Sequence, residues 1–178
     1  MKIKMISNQK KIHEIIRVNH AGEFGAKVIY AGQMAALKLK KDHKTLKIIE
    51  HMKEQEDVHF DYFDAEIRKK KIRPTVMQPV WRIGGFALGF FTALLDKRAA
   101  MACTTAVEEV IDEHYKSQLN TLGKEEELKT KIEKFCSEEL EHRDIGYENK
   151  AAELSYFKPL TGFIKATTRF AIAVSKRI

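Results

Sequence analysis

Glu56-Asp57-Val58-His59 and Glu139-Leu140-Glu141-His142 are two copies of one pattern, a glutamate followed three residues later by a histidine. On a helix, residues three and four apart share a face. Around the first copy, Ile49, Met52, Glu56, His59 and Phe63 advance by threes and fours. Around the second, Ile132, Phe135, Glu139, His142 and Gly146 do the same. Each carboxylate and imidazole therefore interrupts what is otherwise an apolar, core-facing stripe. One such pair is weak evidence in a chain that is 32% charged, but two at matched positions are not.

The stripes extend to two further helices. Glu23 shares a face with Ile16, Tyr30, Met34 and Leu37, and Glu108 shares one with Ala102, Thr105 and Tyr115. Glu109 is adjacent to Glu108, and helical spacing alone leaves the choice between them open. Glu23 to Glu108 is 85 residues, whereas Glu56 to Glu139 and His59 to His142 are each 83. The chain reads as two helix pairs related by an internal repeat. Four carboxylates and two imidazoles turned into one core cost several kcal/mol per unpaired charge, so their placement calls for cations. A glutamate from each of two helices plus Glu-x-x-His from each of two others is the ligand pattern of dinuclear carboxylate bundles. Oxygen and nitrogen donors without thiolate argue against structural zinc and suit iron or manganese. His114, Tyr115, Asp57 and Asp144 are candidates for the surrounding shell. Tyr115 reads either as core packing or as a redox relay.

The rest of the chain supplies the frame. It has 178 residues, 44% of them hydrophobic, with 9 Gly and 3 Pro. That suffices for one domain with a core and excludes collagen-like or disordered classes. Helical pattern covers 8–39, 43–70, 79–94, 97–122, 125–154 and 159–176, and no segment alternates as a strand would. The fold class is all-α: a four-helix bundle plus an apolar third helix and an amphipathic C-terminal one, in a single domain over 1–178. Two cysteines, Cys103 and Cys136, are too few for a disulfide scaffold. Met1 to Lys11 carries lysines with no apolar run behind them, unlike a secretory signal.

A formal charge of +7 suggests an anionic partner. Ile83 to Leu95 has no charge, but thirteen helical residues reach roughly 20 Å, short of a hydrocarbon core of about 30 Å. That segment reads as a buried helix or as one lying on a membrane or lining an entrance for an apolar substrate. In the tail, Phe163, Thr167, Phe170 and Val174 share one face, and Lys165, Arg169 and Lys176 another, as in an interfacial helix. With Lys69 to Lys71, Arg73 and Arg82, these charges are expected to face anionic headgroups. On this reading 79–95 and 159–176 both face a membrane. No nucleic-acid motif is present, so no nucleic-acid partner is expected.

Longer motifs surround every candidate ligand in order. They are Arg17-Val18-Asn19-His20-Ala21-Gly22-Glu23-Phe24-Gly25-Ala26 with Ile29-Tyr30-Ala31-Gly32-Gln33, then Glu56-Asp57-Val58-His59. Ala102-Cys103-Thr104-Thr105-Ala106-Val107-Glu108-Glu109 and Glu138-Glu139-Leu140-Glu141-His142-Arg143-Asp144-Ile145-Gly146 follow. From about residue 11 to the end, the chain closely resembles the demethoxyubiquinone hydroxylase family of ubiquinone biosynthesis. The resemblance implies a ferritin-like bundle with a carboxylate-bridged pair of Fe(II) ions held by Glu23, Glu56, His59, Glu108, Glu139 and His142. That set favours Glu108 over Glu109. The resemblance further implies O2-dependent hydroxylation of a demethoxyubiquinol ring, the penultimate step of the pathway, with electrons from an external donor. An isoprenoid quinol substrate and a partner protein that presents it are the expected company. The expected location is peripheral, on the cytoplasmic face of a bacterial inner membrane, since the chain shows no transit-like extension. Asn19, where many relatives carry Asp, and Glu113 depart from the family pattern away from the ligands. A ferritin-like iron-oxidising, storage or peroxide-scavenging protein shares the ligands and is the rival. A non-catalytic membrane-binding protein would leave the duplicated ligand set without a purpose.

Overall fold

A computed structural model describes residues 2–123 and 125–177, with side chains from Gln9 onward. Met1, the side chains of the lysine-bearing first stretch to Asn8, Lys124 and Ile178 fall outside it. Six helices follow one another: α1 (Lys2–Lys40), α2 (His43–Lys69), α3 (Gln78–Leu95), α4 (Lys97–Leu119), α5 (Glu126–Glu148) and α6 (Phe157–Ser175). The described residues contain no strand.

Local chemistry sets the boundaries. Asp42 caps α2 by accepting from the Thr45 N–H at 3.1 Å, and Asp96 caps α4 by accepting from the Arg98 N–H at 2.7 Å. Helices α1 and α2 end on lysines in the left-handed conformation, Lys41 (φ 56) and Lys71 (φ 52). There the Asp42 N–H reaches the Leu37 carbonyl and the Ile72 N–H reaches that of Ile67.

The expected helix over 125–154 stops at Glu148, because Lys150 turns left-handed (φ 68) and a 3-10 turn over Ala151–Glu153 carries Ala151 and Leu154 into the core. Helix α4 likewise ends at Leu119, before the turn that Gly123 (φ 60) completes. Helix α6 begins two residues before Pro159. Proline fits there, since the first N–H groups of a helix have no internal partner.

Helices α1, α2, α4 and α5 form the bundle. Its core is two apolar clusters, one around Phe63, Ile67, Tyr115, Ile132 and Phe135, the other around Tyr30, Leu37, Ile49, Met52 and Met101. Along α2, Ile49 and Met52 belong to one cluster and Phe63 and Ile67 to the other. Glu56 and His59 lie between.

The repeat extends to the covering helices: α3 packs on α1 as α6 packs on α4. The α1–α3 crossing is made by glycine. A Cβ on Gly32 would collide with the Phe86 carbonyl oxygen, and one on Gly89 with that of Ile29. The two backbones are in direct contact, which only glycine allows. The other face of α3 is open. Ile83, Phe91 and Leu95 are 74, 59 and 70% exposed. Among the described residues no helix is long and apolar enough to cross a membrane.

Candidate metal centre

Each bundle helix brings its inward stripe to the same level. Glu23 comes from α1, Glu56 and His59 from α2, Glu108 from α4, Glu139 and His142 from α5. All six are at most 2% exposed. They form two groups, Glu23–Glu56–His59–Glu139 and Glu56–Glu108–Glu139–His142. Within each, the donor atoms lie within 4.8 Å of one another. Glu56 and Glu139 belong to both groups, the placement a bridging carboxylate requires. Glu109 turns outward, where it accepts from the Tyr147 hydroxyl at 2.7 Å and pairs with Lys165.

The histidines turn Nδ1 inward. Nδ1 of His59 lies 3.2 Å from Glu139 and 3.5 Å from Glu23, and Nδ1 of His142 lies 3.2 Å from Glu56 and 3.3 Å from Glu139. None of these contacts has the direction of a hydrogen bond. Both oxygens of Glu56 and of Glu139, Oε2 of Glu108 and both Nδ1 atoms have no hydrogen-bond partner. Buried polar atoms are nearly always satisfied. Seven orphans converging on one spot fit a cation-binding set, so this cluster can hold metal.

Electrostatics point the same way. Burial first, then the charge of Glu139, pushes the Glu56 and Glu108 carboxyls well above the usual range. Burial opposes ionisation of Glu139 too, but His142 and His59 outweigh it and hold that carboxyl down to about 2. Burial also opposes charge on the histidines. Even so, Glu139 and Glu23 raise His59 to about 12, and Glu139 and Glu56 raise His142 to about 11. The close carboxylates thus favour protons on the two imidazoles. A metal ion would compete with those protons for Nδ1, so its binding would release them.

A surrounding shell, reached from across the bundle, fixes four of the six. The Tyr30 hydroxyl on α1 donates to Glu108 on α4 at 2.8 Å, and that of Tyr115 on α4 donates to Glu23 on α1. Burial, reinforced by the nearby carboxylates, raises both phenols well above their usual range, so they remain donors. The outward Nε2 of His59 meets Glu138 of α5 at 2.8 Å, and that of His142 meets Gln55 of α2 at 2.8 Å. Tyr30 sits seven residues after Glu23 and Tyr115 seven after Glu108. Gln55 and Glu138 immediately precede the motif glutamates.

Sequence reasoning missed Gln55 and Glu138 in this role. It also placed no tie on Tyr30, although the shared seven-residue offset was a usable signal. His114, Asp57 and Asp144 do not touch the ligands. Each lies off the inward face of its helix: Asp57 pairs with Lys27 and Lys53 at 2.8 Å, Asp144 with Arg143 at 2.6 Å. His114 accepts from the Gln118 amide at 2.7 Å, and that amide is held in turn by Asn19. Cys103 and Cys136 are buried free thiols.

Beside the cluster lies an apolar cavity of about 310 Å³ between α3 and α6. Its floor includes Gly22 and Ala26, which flank Glu23 along α1, and Val107, which precedes Glu108. Trp81 of α3 donates from Nε1 to Ser175 of α6 at 3.2 Å and ties the two walls together. The basic face of α6 is partly engaged within the bundle. Lys165 pairs with Glu109, and Arg169 with Glu113 at 2.9 Å. Those two charges have partners on α4. Phe163 and Phe170 are what α6 exposes, at 63 and 65%.

Residues 10–175 match the family described as Ubiquinone biosynthesis protein COQ7. A 3-demethoxyubiquinol 3-hydroxylase of Rhodospirillum rubrum is 49% identical over 168 residues, 94% of this chain and 78% of that one. The human NADPH-dependent 3-demethoxyubiquinone 3-hydroxylase, mitochondrial, is 46% identical over 172 residues, 94% of this chain and 78% of its own. The Saccharomyces cerevisiae 5-demethoxyubiquinone hydroxylase, mitochondrial, is 38% identical over 184 residues, with coverage of 94 and 78%.

Proposed function

The chain belongs to the ubiquinone biosynthesis protein COQ7 family, and from that premise we propose that it hydroxylates the quinol ring of demethoxyubiquinol with O2 at a pair of iron ions. The observation that carries this reading is the buried set of two overlapping donor groups joined by Glu56 and Glu139. In the proposed site Glu23 and His59 complete one position, Glu108 and His142 the other. A ferrous pair held by these residues would supply two electrons to O2 for insertion of one oxygen atom into the ring, and an external reductant would restore it.

The protein's own contribution is positioning and seclusion. The tyrosine hydroxyls fix the two outer carboxylates, and the outward histidine contacts fix the ring planes. The apolar clusters on either side keep bulk water from the reacting atoms. The cavity between α3 and α6 is large enough for a small molecule and apolar enough for an isoprenoid quinol. Ile83, Phe91 and Leu95 on α3, with Phe163 and Phe170 on α6, are the surface we assign to the membrane. The protein then sits peripherally on a bilayer and takes its substrate from it. Apolar contact, more than the α6 charges, is the attraction proposed. The same open face of α3 is the docking place proposed for a lipid-presenting partner protein. A storage or scavenging role is not favoured, since the relatives named above are hydroxylases.

The test is direct. Protein loaded anaerobically with Fe(II), given demethoxyubiquinol, a chemical reductant and 18O2, is expected to yield the hydroxylated quinol carrying one 18O atom, read by mass spectrometry. His142→Ala is expected to lose this product while keeping its helical circular dichroism. Full activity in that variant would refute the assignment.

A further inference from the structure

We infer that the two cation positions are chemically unequal and that Glu138 makes them so, giving the His59 position first claim on a divalent cation. The inference rests on the dinuclear reading above. The inner groups match across the pseudo-twofold: one unshared glutamate, one histidine and the two shared carboxylates at each position. The tyrosine ties match as well. The outer contacts match in distance, 2.8 Å each, and in coming from the opposite helix. They differ in charge. Behind His59 stands the carboxylate of Glu138, and behind His142 the amide of Gln55.

With Nδ1 turned to a cation, the remaining ring proton sits on Nε2 and must be donated outward. A carboxylate acceptor draws that proton more strongly than an amide oxygen does, since hydrogen bonds to an ionised partner are about twice as strong. The pull leaves more electron density on Nδ1 and raises its basicity as a ligand. Lys134 contacts Glu138 at 3.2 Å from the solvent side, which tempers the effect without removing it. The ring settings differ too. His59 lies against Phe135 with centroids 4.1 Å apart, whereas His142 meets only the edge of Tyr30 at 6.2 Å. Glu138 is thus a positioning residue that ranks the two positions.

The experiment uses the full chain, stripped of metal and labelled with 15N-histidine, titrated anaerobically with Co(II). Calorimetry reads the two steps, and hyperfine-shifted ring N–H signals report which histidine is engaged. In the wild type the first equivalent is expected to shift the His59 ring and the second the His142 ring. Glu138→Gln is expected to weaken the first step by about 10- to 100-fold, the usual span for losing such a contact, and to spread the first equivalent over both histidines. Gln55→Glu is expected to strengthen binding at His142. Glu141→Gln, which removes an equal charge from an exposed position on the same helix, is expected to change neither step. An effect of Glu138→Gln no larger than that of Glu141→Gln overturns the inference and leaves the dinuclear reading standing, provided two ions bind. Fewer than two ions in the wild type overturns the dinuclear reading, and the inference with it.

Discussion

The α1–α2–α3 half and the α4–α5–α6 half place the same groups around one centre, yet they attach their covering helices by opposite means. Helix α3 lies on α1 backbone to backbone through Gly32 and Gly89. Helix α6 lies on α4 through side chains, with Lys165 on Glu109 and Arg169 on Glu113 at the rim. The six inward residues match in kind from one half to the other. The outer layer is held by packing, and there the halves differ. The difference teaches where the repeat is constrained by chemistry and where by packing alone.

The largest expected effect tests the sameness of the halves. Glu56→Ala and Glu139→Ala each remove a carboxylate common to both positions, so each is expected to abolish binding of both ions. Glu23→Ala and Glu108→Ala are expected to retain one ion per chain. Metal analysis after equilibrium dialysis checks this, and retention of two ions by Glu139→Ala would break the comparison.

Next comes the contrast between the covers. Gly89→Ala forces a methyl into the Ile29 backbone and is expected to destabilise by about 3 kcal/mol, net of the roughly 1 kcal/mol that alanine gains in helix propensity. A Cβ on Gly162 of α6 meets nothing within 4 Å. There the same substitution is expected to stabilise by up to about 1 kcal/mol. Urea unfolding of the two variants reads the opposite signs.

A third effect is confined to one half, since His114 has Ile29 as its counterpart 85 residues earlier. Burial, then the nearby Lys176 charge, lowers His114 to about 4, and its ring must stay neutral to accept from Gln118. Its folded value lies below the ordinary 6.5, so the unfolded chain binds the proton more readily. Stability is therefore lost as pH falls from 6.5 towards 4, and the loss levels off below that. The slope from this group is at most about 1.4 kcal/mol per pH unit. His114→Gln is expected to flatten that acid limb in urea midpoints measured across the window. The smallest effect is at the rim: Arg169→Ala is expected to cost no more than about 0.5 kcal/mol, as for other exposed pairs.

What the sequence disclosed follows the same division. The inward position of Glu23, Glu56, His59, Glu108, Glu139 and His142 was readable because each breaks an apolar helical stripe. Helical periodicity orients a residue on its own helix and says nothing about what waits on another. Hence Glu138 and Gln55 were illegible as histidine partners: each contact joins residues about eighty positions apart across α2 and α5. The pairing of Lys165 and Arg169 with α4 was hidden for the same reason. The early end of α5 was hidden because a lysine, Lys150, occupies a backbone region that usually announces itself as glycine. The α1–α3 seam left a trace in Gly25, Gly32, Gly85 and Gly89, but spacing alone does not distinguish close contact from flexibility.

The crossed hydrogen bonds carry one last implication. Tyr30 steadies a ligand of the other half, as do Tyr115, Gln55 and Glu138. Neither half owns a finished set of donor groups with their supports. A piece ending at Asp96 would possess its glutamates and histidine with nothing to brace them. Only by docking against a complementary triplet of helices would it become competent, so the tandem arrangement in one polypeptide amounts to a dimer made permanent.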